Sequence, residues 1–206
     1  MRLYTTPLSA NGRKPLAVAH HLGLELEVEQ VNVYAGEGRS ERYLAINPWG
    51  KIPTLVDGDL ALWESNAIVL YFADHEASSL SPAGPRARAE ISKWLFWEAG
   101  HWQPAFNPVL AERVGQILFD SGDAPAEVAW ATLAPELGHV DKHLGGRRWL
   151  VADALSVADF SIAGMMTYAR RTAFPFDQYP NLARWYERIE ALPAWRASEA
   201  SLWREP

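Results

Sequence analysis

Asn47-Pro48-Trp49-Gly50-Lys51-Ile52-Pro53-Thr54-Leu55-Val56-Asp57-Gly58-Asp59-Leu60-Ala61-Leu62-Trp63-Glu64-Ser65-Asn66-Ala67-Ile68 is the stretch on which the fold turns. Two short apolar runs, Pro53 to Val56 and Leu60 to Trp63, flank Asp57-Gly58. That dipeptide favours a tight hairpin because glycine reaches the left-handed backbone region without strain, so the two runs are read as antiparallel strands. Proline has no N–H to give to a ladder and therefore fits at the first position of a strand or on an edge, which is where Pro53 stands. A cis Ile52–Pro53 bond would turn the Ile52 backbone toward solvent, able to pair with an extended peptide ligand; a trans bond would make an ordinary turn. A helix then opens at Ser65, with Ile68, Val69, Tyr71 and Phe72 at helical spacing.

Upstream, residues 2–6 and 26–34 alternate as strands, and the segment between them places Leu16, Ala19 and Leu22 on one helical face. That helix tolerates Pro15 near its first turn and stops at Gly23. Residues 40–46 form a short helix, so residues 1–76 spell β-α-β-α-β-β-α, the element order of a thioredoxin-like domain with its first strands trimmed. Downstream, Ser78-Ser79-Leu80-Ser81-Pro82-Ala83-Gly84-Pro85 breaks every pattern and serves as a linker. Segments 87–103, 124–144, 156–171, 180–191 and 193–203 all have helical spacing. The organisation expected is an α/β thioredoxin-like domain over 1–77, a linker over 78–86 and an all-α domain over 87–206.

Composition narrows the function. Nineteen Lys and Arg against 25 Asp and Glu leave a net charge of −6 without a basic block, so nucleic acid is a poor partner. With no cysteine, the chain has no disulfide, no thiolate metal site and no thiol nucleophile of its own, and any sulfur chemistry must arrive with a ligand. Met1-Arg2-Leu3-Tyr4-Thr5 opens like a strand rather than a signal peptide, and no apolar run is long enough to span a bilayer, which points to a cytoplasmic protein without membrane association. His139 and His143 are spaced i, i+4 but lack the His-Glu-x-x-His pattern, so they and His20-His21 are read as solvated helix histidines and no metal is expected.

Glu64-Ser65 places a hydroxyl at a helix N-cap with a carboxylate just before it. The unpaired N–H groups of the first turn favour a bound carboxylate while Glu64 takes an ammonium, so together they suit an amino-acid head group; the alternative is a plain helix cap.

The segment Asn47 to Asp74, with its Ile-Pro-Thr-Leu and Glu-Ser-Asn-Ala-Ile motifs, resembles the glutathione-binding half of cytosolic glutathione transferases. Leu155-Ser156-Val157-Ala158-Asp159-Phe160 resembles the N-capping box of that family's helical domain, and it makes physical sense unaided: Ser156 and Asp159 cap each other while Leu155 packs onto Phe160. In this fold the reacting group sits where the first strand meets the first helix. Here that place holds Ser9 and Asn11, similar to the serine-type members in which a hydroxyl holds the glutathione sulfur; Tyr4, the other candidate, falls within the strand. The resemblance further implies that Ile52, ahead of Pro53, pairs with the cysteinyl unit, that Glu64 and Ser65 hold the γ-glutamyl end, and that Lys51 meets the glycine carboxylate. Trp94, Trp97 and His101 share one helical face and are read either as lining a second-substrate pocket or as an aromatic packing stripe.

The implied activity is transfer of glutathione, a cosubstrate rather than a tightly bound cofactor, onto a small hydrophobic electrophile by a homodimer. A glutathione-dependent disulfide reductase and a non-catalytic glutathione-binding interaction module are the alternatives.

Overall fold

The computed structural model describes the chain except residues 7, 77, 111–125, 173 and 200–206. The first half builds β1 (Arg2–Thr5), α1 (Ala10–Leu22), β2 (Glu27–Gln30), α2 (Glu41–Leu44), β3 (Thr54–Asp57), β4 (Leu60–Trp63) and α3 (Ser65–His75). The element order is that expected, and the sheet runs β2-β1-β3-β4. β1 pairs with β2 in parallel and with β3 antiparallel, and β3 and β4 form the Asp57-Gly58 hairpin with Gly58 at φ 60°. α1 ends as its sequence dictates, with Gly23 left-handed at φ 70° and its N–H returned to the last carbonyls.

β2 is shorter than the alternation over 26–34 implies. The Asn32 side chain accepts from the Ala35 N–H at 3.0 Å, and Gly36 turns the chain at φ 86°, so residues 33–35 coil into a 3-10 turn instead of extending the ladder.

Beyond the linker come α4 (Pro85–Trp97), a π turn over Glu98–Trp102 continuing into helical residues 103–110, α5 (Ala126–His143), α6 (Val157–Met165), α7 (Pro180–Glu190) and α8 (Pro193–Ala197). The chain divides into two compact units, Met1–Pro82 with the tail from Glu190, and Ala83–Ile189. The first division falls inside the expected linker. The second departs from the sequence reading, because α8 returns to α1. There the buried Arg13 guanidinium donates from Nε to Ser198 Oγ at 3.2 Å and from a terminal nitrogen to the Trp195 carbonyl at 3.0 Å, and lies 4.0 Å from the Trp195 ring centroid. Two directed hydrogen bonds and a stacked ring hold the tail where hydropathy alone gave no signal.

The helical unit is organised around Asp159. The expected capping box forms, and the fully buried carboxylate accepts from the Ser156 N–H and hydroxyl at 3.0 Å each, from the Leu150 N–H at 3.0 Å and from Trp185 Nε1 at 2.9 Å. It therefore joins α6, the segment before it and α7. Burial pushes its pKa up to about 6, against the opposing pull of those four donors. A folded-state pKa raised above the unfolded value means that the native state binds the proton more readily, so this group's contribution to stability falls as pH rises from about 4 to 6. Relative to Asp159→Asn, which cannot titrate, the wild-type protein is expected to lose stability over that interval. Urea denaturation of both proteins at pH 4, 5 and 7 measures it, and parallel pH profiles would refute the assignment.

Candidate active site

Strand register brings the sequence motifs to one place. Tyr4 of β1 stands beside Thr54 of β3, and Thr54 stands beside Trp63 of β4. The chain just before Thr54 is Ile52-Pro53, the chain just after Trp63 is Glu64-Ser65, and the chain just after Thr5 leads to Ser9 and the start of α1. All three segments, with the N-termini of α1 and α3, therefore gather at one end of the sheet. Two helix N-termini at a single edge make it a natural seat for anionic groups.

Ser9 is the N-cap of α1. Its Oγ accepts from the Gly12 N–H at 3.1 Å, which does not use the hydroxyl proton. Gly12 is required by closeness rather than by dihedral angle: a Cβ there would lie 2.1 Å from Thr5 Oγ1 and 2.8 Å from the Thr6 carbonyl oxygen. The first turn of α1 thus rests directly on the end of β1. Tyr4 is buried within β1 with its ring edge-on to Tyr43 at 5.9 Å.

The Ile52–Pro53 bond is cis, Ile52 is half-buried, Pro53 is buried, and the Lys51 side chain is exposed. Glu64 and Ser65 differ from the expected capping arrangement. Glu64, not Ser65, occupies the N-cap, its side chain makes no capping bond, and its backbone is held at φ 73°, a region costly for a residue with a Cβ by on the order of 1–3 kcal/mol. Ser65 is the first helical residue, and its hydroxyl turns inward, donating to Asn11 Oδ1 at 3.3 Å and accepting from Lys14 Nζ at 3.4 Å. This ties the starts of α1 and α3 together and fixes the Asn11 oxygen, so the Asn11 NH2 is the end left to donate. Lys14 is fully buried, a residue that pattern reading assigns to solvent by default and therefore misses.

Trp94, Trp97 and His101 do share a face, with Trp94 and Trp97 rings 5.4 Å apart and Trp97 and His101 stacked at 6.5 Å. Trp94 is 3% exposed and packs edge-on against His143 at 4.7 Å, while Trp97 lies 5.4 Å from His139, so the face they share packs against α5; His101 is exposed. Trp94 is thus enclosed by packing rather than open to a ligand. His143 is likewise not a solvated histidine. It is half-buried, its Nε2 lies 2.8 Å from the Leu150 carbonyl oxygen, and burial lowers its pKa, so near neutral pH the neutral ring donates there. A cleft of about 370 Å³ within this unit lies elsewhere, lined by Trp130, Leu137, Pro175 and Tyr179 among others. Among the described residues, no group of three His, Asp or Glu side chains could hold a metal ion, and no helix is long and apolar enough to cross a membrane.

A thioredoxin-like sheet whose cis-proline and two helix N-termini converge, followed by a helical unit, defines the class of glutathione-dependent transferases. Residues 1–74 match the glutathione S-transferase N-terminal domain and residues 116–193 the C-terminal domain; the chain belongs to that family and is a transferase enzyme. It is 32% identical to glutathione S-transferase 3 of Zea mays, over 98% of this chain and 94% of that protein. Glutathione transferase F7 from Populus trichocarpa superposes with a TM-score of 0.87 at 25% identity over 96% of each chain. Glutathione S-transferase I, solved with the ligand lactoylglutathione, superposes with a TM-score of 0.86 at 25% identity, covering 96% of this chain and 97% of that one.

The two residues of the Glu64-Ser65 turn are expected to separate on mutation. Ser65→Ala removes a buried partner of Lys14 and should cost about 1–3 kcal/mol, whereas Glu64→Ala, at an exposed side chain, should leave the denaturation midpoint nearly unchanged. Gly12→Ala should destabilise by about 1–3 kcal/mol through overpacking against Thr5 and Thr6. Chemical denaturation of the three variants checks the order.

Proposed function

We propose that this transferase activates glutathione through Ser9, whose hydroxyl donates to the sulfur, and delivers the thiolate to a small hydrophobic electrophile. The observation that carries the reading is the Ser9 hydroxyl at the N-cap of α1, engaged as an acceptor from Gly12 and so retaining its proton, at the same sheet end as the cis-proline and the Glu64-Ser65 turn. A free thiol of pKa ~8.5 is only a few per cent ionised at neutral pH, and a charge-assisted hydrogen bond of about 1.5–3 kcal/mol lowers that pKa by roughly one to two units. The partial positive charge at the α1 terminus adds to it. Asn11 is placed to assist, since its amide hydrogens are the free end of a side chain anchored through Ser65.

For recognition, the Ile52 backbone pairs with the cysteinyl unit, the exposed Glu64 carboxylate takes the γ-glutamyl ammonium, and the first turn of α3 at Ser65 takes the adjoining carboxylate. Lys51 offers a point charge to the glycine carboxylate. The lactoylglutathione bound by one structural neighbour supports a glutathione-type ligand for this chain. The electrophile's subsite belongs to the helical unit.

We also propose a homodimer. Trp49 and Trp63 are 60% and 37% exposed and stand edge-on at 6.2 Å, an aromatic pair of the kind that subunit contacts cover. Light scattering at micromolar concentration should give twice the chain mass, and a monomer would refute it.

Ser9→Ala is expected to raise the pKa of bound glutathione and lower turnover with an aryl halide about tenfold or more. Ultraviolet titration of the bound thiolate in Ser9→Ala, Asn11→Ala and Tyr4→Phe decides the assignment. A shift confined to Asn11→Ala or to Tyr4→Phe would move the activating role to that residue.

A further inference from the structure

The backbone at Ile52 is held from behind by a connected set of hydrogen bonds from three buried side chains. Tyr43 Oη donates to the Lys51 carbonyl oxygen at 2.6 Å, and Asn47 Nδ2 donates to the same oxygen at 2.8 Å. The second Asn47 amide hydrogen goes to Thr54 Oγ1 at 2.9 Å, and Thr54 Oγ1 lies 2.9 Å from Tyr43 Oη, so the threonine proton returns to the tyrosine oxygen. Asn47 Oδ1 takes the Trp49 N–H at 3.0 Å. Every donor of the three side chains is spent, and the Lys51 carbonyl has both lone pairs filled. Tyr43, Asn47 and Thr54 are 4%, 2% and 0% exposed, so the side-chain ends of these bonds are shielded from water.

A planar trans peptide points its N–H opposite to its C=O. The only cis bond of the loop is Ile52–Pro53, so the Lys51–Ile52 peptide is trans. With its carbonyl pinned inward by Tyr43 and Asn47, the Ile52 N–H is aimed away from the buried knot. Pro53 has no N–H of its own, so at the cis-proline turn Ile52 supplies the donor.

We propose that Tyr43, together with Asn47, is a positioning residue for glutathione, fixing the Lys51–Ile52 peptide so that Ile52 presents its N–H to the backbone of the cysteinyl unit. The proposal rests on the reading of Ile52 as the cysteinyl partner. Tyr43 acts through the Lys51–Ile52 peptide, and its role separates from that of Ser9: it sets how tightly glutathione is held, not how acidic its thiol is. Burial also raises the Tyr43 pKa above its ordinary value, so the knot stays intact and neutral through the range in which a bound thiol titrates.

The test is calorimetric titration of wild type, Tyr43→Phe and Asn47→Ala with glutathione, joined to steady-state kinetics with an aryl halide and ultraviolet titration of the bound thiol. Tyr43→Phe keeps the ring that packs on Tyr4 and removes one hydroxyl. Its Kd and KM for glutathione should rise about three- to tenfold, with kcat at saturating glutathione changing by less than that and the pKa of the bound thiol unmoved. Hydrogen exchange of the ligand-free protein should quicken over residues 50–55 in both variants. Unchanged affinity in Tyr43→Phe, or a fall in kcat with affinity unchanged, would overturn the positioning role. Wild type that binds no glutathione would instead overturn the reading beneath it, while faster exchange over 50–55 would still support the knot's hold on this peptide.

Discussion

The pairing of β3 between β1 and β4 is the constraint on which the rest of the molecule depends. Side chains alternate faces along a strand, so a slip of one residue at Tyr4–Thr54 would send Leu55 from the core to the opposite face and carry Ile52-Pro53 away from Ser9. The same slip at Thr54–Trp63 would displace Glu64-Ser65 from the start of α1. Three segments widely separated in sequence meet only because two ladders hold this register. The fully buried Leu3 and Leu55, adjacent across the β1–β3 ladder, enforce it by packing.

Around that frame the polar interactions specialise. At the front, Ser9 caps α1, and the Ser65 hydroxyl draws the starts of α1 and α3 together. Behind it, Tyr43, Asn47 and Thr54 hold the approach to the cis-proline. In the helical unit Asp159 plays the comparable part, one carboxylate gathering four donors from three segments. The Tyr43, Asn47 and Thr54 side chains and the Asp159 carboxylate are buried and matched by partners, which is how buried polar groups select a single conformation.

Much of this was legible in the sequence because it depends on local chemistry. Asp57-Gly58 dictates a hairpin, Gly23 dictates a left-handed stop, Ser156 and Asp159 spell a capping box, and Pro53 at a strand entry announces a backbone exception. What was not legible depends on contacts between distant residues. Nothing local reveals that Lys14 is buried beneath Ser65, that Arg13 stacks on Trp195 more than 180 positions away, or that Glu64 rather than Ser65 takes the cap with a left-handed backbone. The Trp94 stripe was readable as a face, but whether a face meets ligand or protein is decided by α5, whose His139 and His143 carry no periodic signal pointing to that contact.

The grip of Arg13 on the returning tail bears on the order in which the molecule can be assembled. Chains emerging from the ribosome tend to complete their N-terminal domains first. Here two acceptors of the buried Arg13 guanidinium, the Ser198 hydroxyl and the Trp195 carbonyl, lie 185 and 182 positions downstream of it. The sheet and its helices can condense early, but the layer behind Ser9 closes only when translation has delivered residues 193–198. The helix that Ser9 caps is therefore held by contacts completed at different times, to α3 through Ser65 and to α8 through Arg13, and a chain interrupted before Trp195 would have the first without the second.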